Sequence, residues 1–362
     1  MLQGIRIIEF EGLGPAPFAT MMLADLGAEV ITVHRPGPAP EITGDASLLD
    51  RGKKSIVLDL KDSADQQNAR ALISTADALV EGLRPGVMER LGLGPEVCQA
   101  DNRKLVYGRM TGWGQAGPRA QTAGHDYNYI ATSGAYWYAS LPETPPLAPA
   151  TLVGDIGGGA LYLVAGILAG LLQASRTGKG TVVDAAIVDG SAHMMALLMA
   201  MRPTDNLSMA RGQSLLDGPH WSRCYTCADG RFLSVQCLEP KFYAEFLRLM
   251  TLDNDPAFAA QFDRSQWPTQ TQKLAAILAA EPVAHWRDLF AGSDACVAPV
   301  LSPEEAVQEP HMAERSVWQY VNDMLQPAPA PRFDGKAGPI RTPPKRGQHT
   351  AELLQEIAVR KG

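Results

Sequence analysis

Two short stretches of the chain place an ionisable side chain where a helix is expected to begin. Gly124-His125-Asp126 precedes the aromatic stretch Tyr127 to Tyr138, and Leu152-Val153-Gly154-Asp155-Ile156-Gly157-Gly158-Gly159 opens a long apolar run. An imidazole readily takes up and returns a proton near neutral pH, so His125 has the chemistry of a general base. Asp155, at or beside a helix start, suits an N-cap or a second proton carrier. The N–H groups at that helix end carry partial positive charge, which suits an oxyanion, and three consecutive glycines let a ligand approach the backbone. Each residue also has a plain structural reading, Asp155 as a cap and His125 as a packed histidine. Glu239, in Cys237-Leu238-Glu239-Pro240, ends an apolar strand just before a proline suited to the first position of a helix. It can cap that helix or orient a histidine.

Other motifs exclude more than they support. Gly12-Leu13-Gly14 resembles a dinucleotide fingerprint, but Pro17 and Phe18 stand near the place of its third glycine. The second expected strand ends in His34-Arg35, where a nicotinamide-binding unit needs an acid for the ribose diol. Cys224-Tyr225-Thr226-Cys227 has redox spacing, yet residues three apart on a strand face opposite sides, and no second pair completes a zinc site. No metal site is expected. Metalloprotease, P-loop and nucleophile-elbow signatures are absent from the sequence.

The elements that must position these residues follow β-α-β logic. Strands are expected at Ile5–Phe10, Glu29–Val33, Ser55–Leu58, Ala78–Glu81, Lys104–Arg109 and Thr181–Ile187, with helices at Phe18–Leu26 and Ser63–Ile73. The fold class is α/β, an open, mostly parallel Rossmann-like sheet in a large domain joined to a smaller α+β domain. The apolar run Ile156–Leu172 is expected to be a buried helix, shorter than the ~20 residues of a membrane span. A Met/Ala-rich helix over Asp189–Met201 closes the large domain, 1–201, which the C-terminal segment 315–362 completes. Residues 202–222 read as a polar linker, and 223–314 as the small domain. There, Ala228-Asp229-Gly230 marks a hairpin between Arg223–Cys227 and Arg231–Gln236, and helices follow around Phe242–Met250, Lys273–Ala280 and Trp286–Phe290. Beyond Met312 a Pro-rich strap leads to a last helix from Thr350.

With 46% hydrophobic and 20% charged residues in 362, the chain has a soluble protein's composition and material for a large core. A net charge of −7 argues against nucleic acid and acidic membranes as partners. Five scattered cysteines are no disulfide framework, and the N-terminus enters a strand pattern at once, so a cytoplasmic protein is expected. Within this acidic background Arg35, Arg51, Lys53, Lys54, Lys61, Arg84 and Arg90 gather at the ends of the early elements, where they could meet the phosphates of a nucleotide-like ligand.

The sequence resembles the CaiB/BaiF family, the class III coenzyme A transferases, and within it the α-methylacyl-CoA racemases. The likeness runs through Ala24-Asp25-Leu26-Gly27-Ala28-Glu29-Val30, Arg84-Pro85-Gly86-Val87, Thr111-Gly112-Trp113-Gly114-Gln115, Gly124-His125-Asp126-Tyr127-Asn128-Tyr129, Val153-Gly154-Asp155 and Asp294-Ala295-Cys296-Val297-Ala298-Pro299-Val300. The resemblance implies an isomerase of acyl-CoA lipid metabolism that inverts an α-carbon, with His125 and Asp155 as the acid/base groups and Glu239 in support. It implies coenzyme A contacts at Arg35, Leu58, Asp59, Leu60, Lys61, Gly82, Leu83, Arg84, Arg90, Gly124, Asp126, Tyr127, Asn128 and Tyr129. No separate cofactor is implied, since coenzyme A is part of the substrate. The partner implied is a second copy of the chain, in an interlocked homodimer whose site lies between one large domain and the partner's small domain. Removing a hydrogen beside a thioester carbonyl needs a placed base and a stabilised enolate oxygen, and inversion needs a proton carrier on each face. Within the same family, transferases use an aspartate matching Asp155 as a nucleophile that forms a mixed anhydride. His125 in its racemase context, and Leu238-Glu239-Pro240 in place of a glycine-rich loop, favour the racemase. A third reading is a coenzyme A-binding scaffold without activity.

Overall fold

Successive residues of a strand point to opposite faces, so runs such as Ile7-Ile8 and Val30-Ile31 demand apolar cover on both sides of a sheet. In the computed structural model, which describes every residue except 40, 42, 43, 45, 46 and 362, these runs lie in β1 (Arg6–Phe10) and β2 (Glu29–His34) of a six-stranded sheet. Its other strands are β3 (Lys54–Val57), β4 (Ala78–Glu81), β5 (Val106–Thr111) and β6 (Val182–Ala186), in the order β3-β2-β1-β4-β5-β6. All neighbours are parallel, with Ile8 beside both Ile31 and Leu79. Helices make the crossovers: α1 (Pro15–Asp25), α2 (Ser63–Ser74), α3 (Val87–Arg90), α4 (Pro95–Asp101), α5 (Asp126–Ser133) and α6 (Leu161–Thr177), with α7 (Ile187–Met194) after β6. Ile7, Val30, Val80 and Val106 pack with Leu23 of α1 and Leu163 and Ile167 of α6. Ile8, Ile31, Leu79 and Tyr107 pack on the other face with Leu72 of α2 and Leu353 of the C-terminal helix. Strand order reverses between β1 and β4, and in such sheets the ligand crevice opens there, at the strands' C-terminal ends.

Three expected helices differ in extent. The helix after His125 stops at Ser133 because Gly134 takes a left-handed φ of 87°, a C-terminal stop. The apolar helix is longer than expected: a π-helical stretch, Leu152–Ala160, runs straight into α6, so Leu152–Thr177 is 26 residues, enough by length and composition to cross a bilayer. Its inward face lies on the sheet, where the hydrogen of Gly108 leaves room for Ile167 and Leu163. The Met/Ala helix begins at Ile187 and breaks after Met194.

The chain divides into two compact units, the first of residues 1–136, 148–195 and 319–362, the second of 137–147 and 196–318. The second begins with α8 (Ala196–Met199) and contains the hairpin β7 (Ser222–Thr226) and β8 (Phe232–Gln236), whose tight turn places Gly230 at φ 75°. It continues with α9 (Pro240–Leu249), α10 (Trp267–Leu278), α11 (Val283–Phe290), β9 (Val297–Pro299), α12 (Pro303–Ala306) and α13 (Pro310–Glu314), β9 pairing antiparallel with β8. The stretch 202–222, read from its polarity as a linker, carries buried Leu207, Ser214, His220 and Trp221 and packs within this unit. Burial, with nearby Arg223, pushes the His220 imidazole down to about 4, and its Nε2 sits 2.8 Å from the Tyr243 hydroxyl. The expected Pro-rich strap first forms a hairpin, β10 (Trp318–Val321) and β11 (Met324–Pro327), turning through Asn322 and Asp323 at positive φ. The chain then returns to β3. The Ser55 N–H donates to His349 Nδ1 at 3.1 Å and the Val57 N–H to Thr350 Oγ1 at 3.1 Å, satisfying that strand's outer edge before α14 (Thr350–Lys361).

Candidate active site

His125 is the N-cap of α5, held in an extended backbone (φ −137°, ψ 175°), with its N–H donating to Asn128 Oδ1 at 3.0 Å and its side chain exposed. The next two amides, of Asp126 and Tyr127, have no acceptor among the described residues, as befits the first turn of a helix. The buried Asp126 carboxylate turns away from its own helix. Its Oδ1 accepts the N–H groups of Gly154 (2.9 Å) and Asp155 (3.0 Å), and its Oδ2 accepts that of Thr151 (2.9 Å). Two amides of the first turn of the 152–177 helix, those of Gly154 and Asp155, thus already have an anion, whereas those of Leu152 and Val153, like those of Asp126 and Tyr127, have no acceptor among the described residues.

Asp126 also explains Gly154, because a Cβ there would lie 2.3 Å from its Oδ1. The glycine triplet serves packing and not ligand approach. A Cβ on Gly158 would stand 2.3 Å from Ser191 Oγ of α7, and one on Gly190 only 1.9 Å from the Gly158 carbonyl oxygen.

Asp155 lies in the first turn of the π-helical stretch. Thr151, left-handed at φ 67°, donates its hydroxyl to Asp155 Oδ2 at 2.7 Å. The same oxygen is 3.8 Å from where a Gly14 Cβ would be, so the carboxylate sits at the entry to α1. Burial, and after it the neighbouring Asp126, hold the Asp155 carboxyl above the ordinary carboxylate value, offset in part by the Thr151 hydrogen bond and by the charge of His125. His125 and Asp155 are thus within electrostatic reach of each other. Tyr129 supports the His125 backbone: its hydroxyl donates to the Gly124 carbonyl, and its ring meets Trp113 edge-on at 4.8 Å.

A crevice of about 440 Å³ opens at the strand C-termini, lined by Phe10–Leu13, Val33–Pro36, Leu58–Lys61, Leu83 and Leu91. It therefore brings together Arg35, Leu58, Asp59, Leu60, Lys61 and Leu83 of the expected coenzyme A contacts. Gly82, Arg84 and Arg90 are exposed on the chain leaving β4 but do not line it. The Leu83 amide donates to the buried Glu81 carboxylate at 2.7 Å, and Arg109 binds Glu81 at 3.0 Å and Glu89 at 2.8 Å. Tyr127 donates its hydroxyl to the Ala148 carbonyl at 2.8 Å.

The expected basic rim is smaller than the sequence suggested. Arg51 is buried against Asp25 at 2.5 Å, Lys53 is buried against Glu9 at 2.7 Å, and Lys54 pairs with Glu352 at 2.8 Å. All three precede or open β3, at the end of the sheet opposite the crevice.

Glu239, in the second unit, is the N-cap of α9 by its backbone, and its side chain makes no capping bond. The exposed residue lines a cavity of about 380 Å³ with Leu238, Phe262, Arg264 and Trp267. Sequence reasoning missed Asp126 as the cap of a distant helix, Thr151 as a partner of Asp155, and the pair Glu11 and Arg346 behind the crevice. The Asp126 and Glu11–Arg346 contacts span distant parts of the chain and have no local signal, whereas Thr151 stands four residues before Asp155.

The model of CoA-transferase family III matches residues 2–350. The chain is 39% identical over 367 residues to alpha-methylacyl-CoA racemase of Mus musculus and 40% identical over 361 residues to that of Homo sapiens, covering 98% of this chain and 93% of each relative. The crystal structure of Rv3272 from M. tuberculosis aligns with a TM-score of 0.80 at 27% identity, over 98% of this chain and 99% of that one. With the fold, the strand-end crevice and a match across nearly its whole length in agreement, the chain belongs to CoA-transferase family III.

Proposed function

We propose that this protein is an isomerase, a racemase that inverts the α-carbon of 2-methylacyl-CoA thioesters. One of His125 and Asp155 removes the α-hydrogen as a proton, leaving a planar enolate, and the other returns a proton to the opposite face. The observation that carries the reading is an imidazole at the start of α5 within electrostatic reach of the Asp155 carboxylate, near open amides of α5, in a chain so similar to named racemases. Those amides suit the enolate oxygen, whose charge grows as the proton leaves. A raised pKa makes the Asp155 carboxylate a stronger base than an ordinary one and brings its protonated form closer to working pH.

Coenzyme A, which enters with the acyl group, is assigned to the crevice beside Arg35 and Lys61, and the scheme asks for no other cofactor. A homodimer belongs to the same reading, supported by the exposed Leu152, Leu161 and Leu172 on one apolar helix, and Glu239 would support the site from the partner. Sedimentation at micromolar concentration is expected to give twice the chain mass; a monomer under turnover conditions would remove that part of the proposal. Five unpaired cysteines support a reducing, cytoplasmic setting.

The transferase reading makes Asp155 a nucleophile and requires a free carboxylic acid as acceptor. Incubation of one 2-methylacyl-CoA enantiomer without any acceptor separates the two. Racemisation to an equal mixture is expected, at a rate unchanged by added acid. A reaction that starts only when the acid is supplied, and yields its coenzyme A ester, would establish the transferase.

A further inference from the structure

Beyond its last bonds to neighbouring strands, β2 leaves the sheet through Arg35, whose backbone groups have no strand partner. They are held instead by two side chains. Glu11, just past the end of β1, accepts the Arg35 N–H at 3.2 Å through Oε2, and Arg346, 311 residues further on, donates from Nη2 to the Arg35 carbonyl at 2.7 Å. The two clamp each other: Arg346 Nη1 lies 2.6 Å from Glu11 Oε1 and Nη2 lies 3.0 Å from Oε2, a bidentate pair. His34 Nδ1 stands 3.0 Å from Arg346 Nη1 and 3.3 Å from Glu11 Oε1. Burial alone would raise the Glu11 carboxyl, but hydrogen bonds from His34, Arg346 and the Arg35 amide outweigh it and hold it well below the usual range. The Arg35 side chain itself is 73% exposed, with its Nε 3.9 Å from Glu11 Oε2 in a loose ion pair, and it lines the crevice with Glu11 and His34.

We infer that Arg346 is a positioning residue for coenzyme A, fixing through Glu11 the backbone from which Arg35 reaches a phosphate. The inference rests on the reading of this crevice as the coenzyme A site. A salt bridge with one job would serve stability alone; this one binds both polar groups of the backbone unit that carries Arg35, an exposed cation of the crevice. The C-terminal segment, far from the proton-transfer pair in sequence, thereby sets affinity for the substrate's carrier while leaving the reacting carbon to other groups.

The test is calorimetric titration of coenzyme A into the full chain, with Arg346→Ala, Arg35→Ala and the double variant, alongside KM and kcat for acyl-CoA. Arg346→Ala is expected to weaken coenzyme A binding about tenfold and to raise KM similarly, with a smaller change in kcat; in the Arg35→Ala background it should cost less than about twofold, because its effect travels through Arg35. Arg346→Lys should restore binding only in part, since an ammonium cannot make the bidentate contact. Removing one partner of a half-buried pair can unfold the region. Glu11→Gln combined with Arg346→Met leaves no orphan charge, and is expected to keep the melting temperature while still weakening binding. If Arg346→Ala costs the same factor with and without Arg35, or if it binds as wild type does, the inference is overturned while the crevice stands. If wild type gives no heat with coenzyme A, the crevice assignment fails and this inference with it.

Discussion

His125→Ala and Asp155→Ala are each expected to lose inversion by about a thousandfold, in keeping with the removal of a placed general base. Exchange of the α-hydrogen should divide between them. With one proton carrier gone, the other can still take the proton from its own face and return one to that face. Each variant should therefore wash deuterium from solvent into one enantiomer only, and the two variants should favour opposite enantiomers. In the proposed scheme a thioester with its oxygen at the α5 amides would present the two faces of the α-carbon to different residues, which is why the division is expected. Mass spectrometry on separated enantiomers reads the result. Equal loss of exchange from both enantiomers in either variant would mean that one group serves both faces, with the other in a supporting role.

The second large effect concerns a side chain that touches no reacting atom. Asp126→Ala leaves three amides, of Thr151, Gly154 and Asp155, without their acceptor. The loss is largest at the buried Gly154 amide, about 1–3 kcal/mol for a buried donor left unpaired, and smaller at Asp155 and the exposed Thr151, so the π-helical turn should loosen and Asp155 lose its place. A displacement of about 1 Å at a reacting group can cost a hundredfold in rate, and a loss of at least that size is expected in kcat. Asp126→Asn is the finer probe: its carbonyl can keep Gly154 and Asp155 while its NH₂ faces the Thr151 N–H. Asp126, His125 and Tyr129 are the titratable neighbours of Asp155 on α5 and its cap. Burial and the Asp126 charge raise the Asp155 pKa, so wild-type activity should fall, as pH is lowered, at a higher pH than an ordinary carboxylate would set. Removing the Asp126 charge should move that acid limb to lower pH. An unmoved limb, with kcat intact, would show that Asp126 neither tunes nor places Asp155.

Much of this architecture was legible because its causes are local. Consecutive apolar residues in Ile7-Ile8 and Val30-Ile31 require a sheet covered on both faces, and Asp229-Gly230 supplies the positive φ of a tight hairpin. The motifs around His125 and Asp155 marked the two helix starts, and the structure places both in one unit. What stayed hidden depends on distance along the chain or on subtler geometry. An apolar run from Leu152 reads as a helix start, but its period does not reveal the wider π-turn, nor that two amides of its first turn are bound by a carboxylate nearly thirty residues upstream. The glycine triplet reads as room for a ligand, whereas Gly158 and Gly190 show it to be room for another helix. Arg51 and Lys53 looked like members of a phosphate-binding rim because sequence shows their nearness to β3 but not the end of the sheet they occupy. Two missed signals were local after all: Ser133-Gly134 ends α5, and Asn322-Asp323 turns a hairpin inside the Pro-rich return.

The most direct test uses the wild-type chain alone. A single enantiomer of a 2-methylacyl-CoA, incubated in deuterated water with no acceptor acid, should yield the opposite enantiomer, every molecule of it carrying deuterium at the α-carbon. Inverted product that retains the original hydrogen, or a thioester left unexchanged while coenzyme A passes readily to a free acid, would contradict proton transfer across two faces.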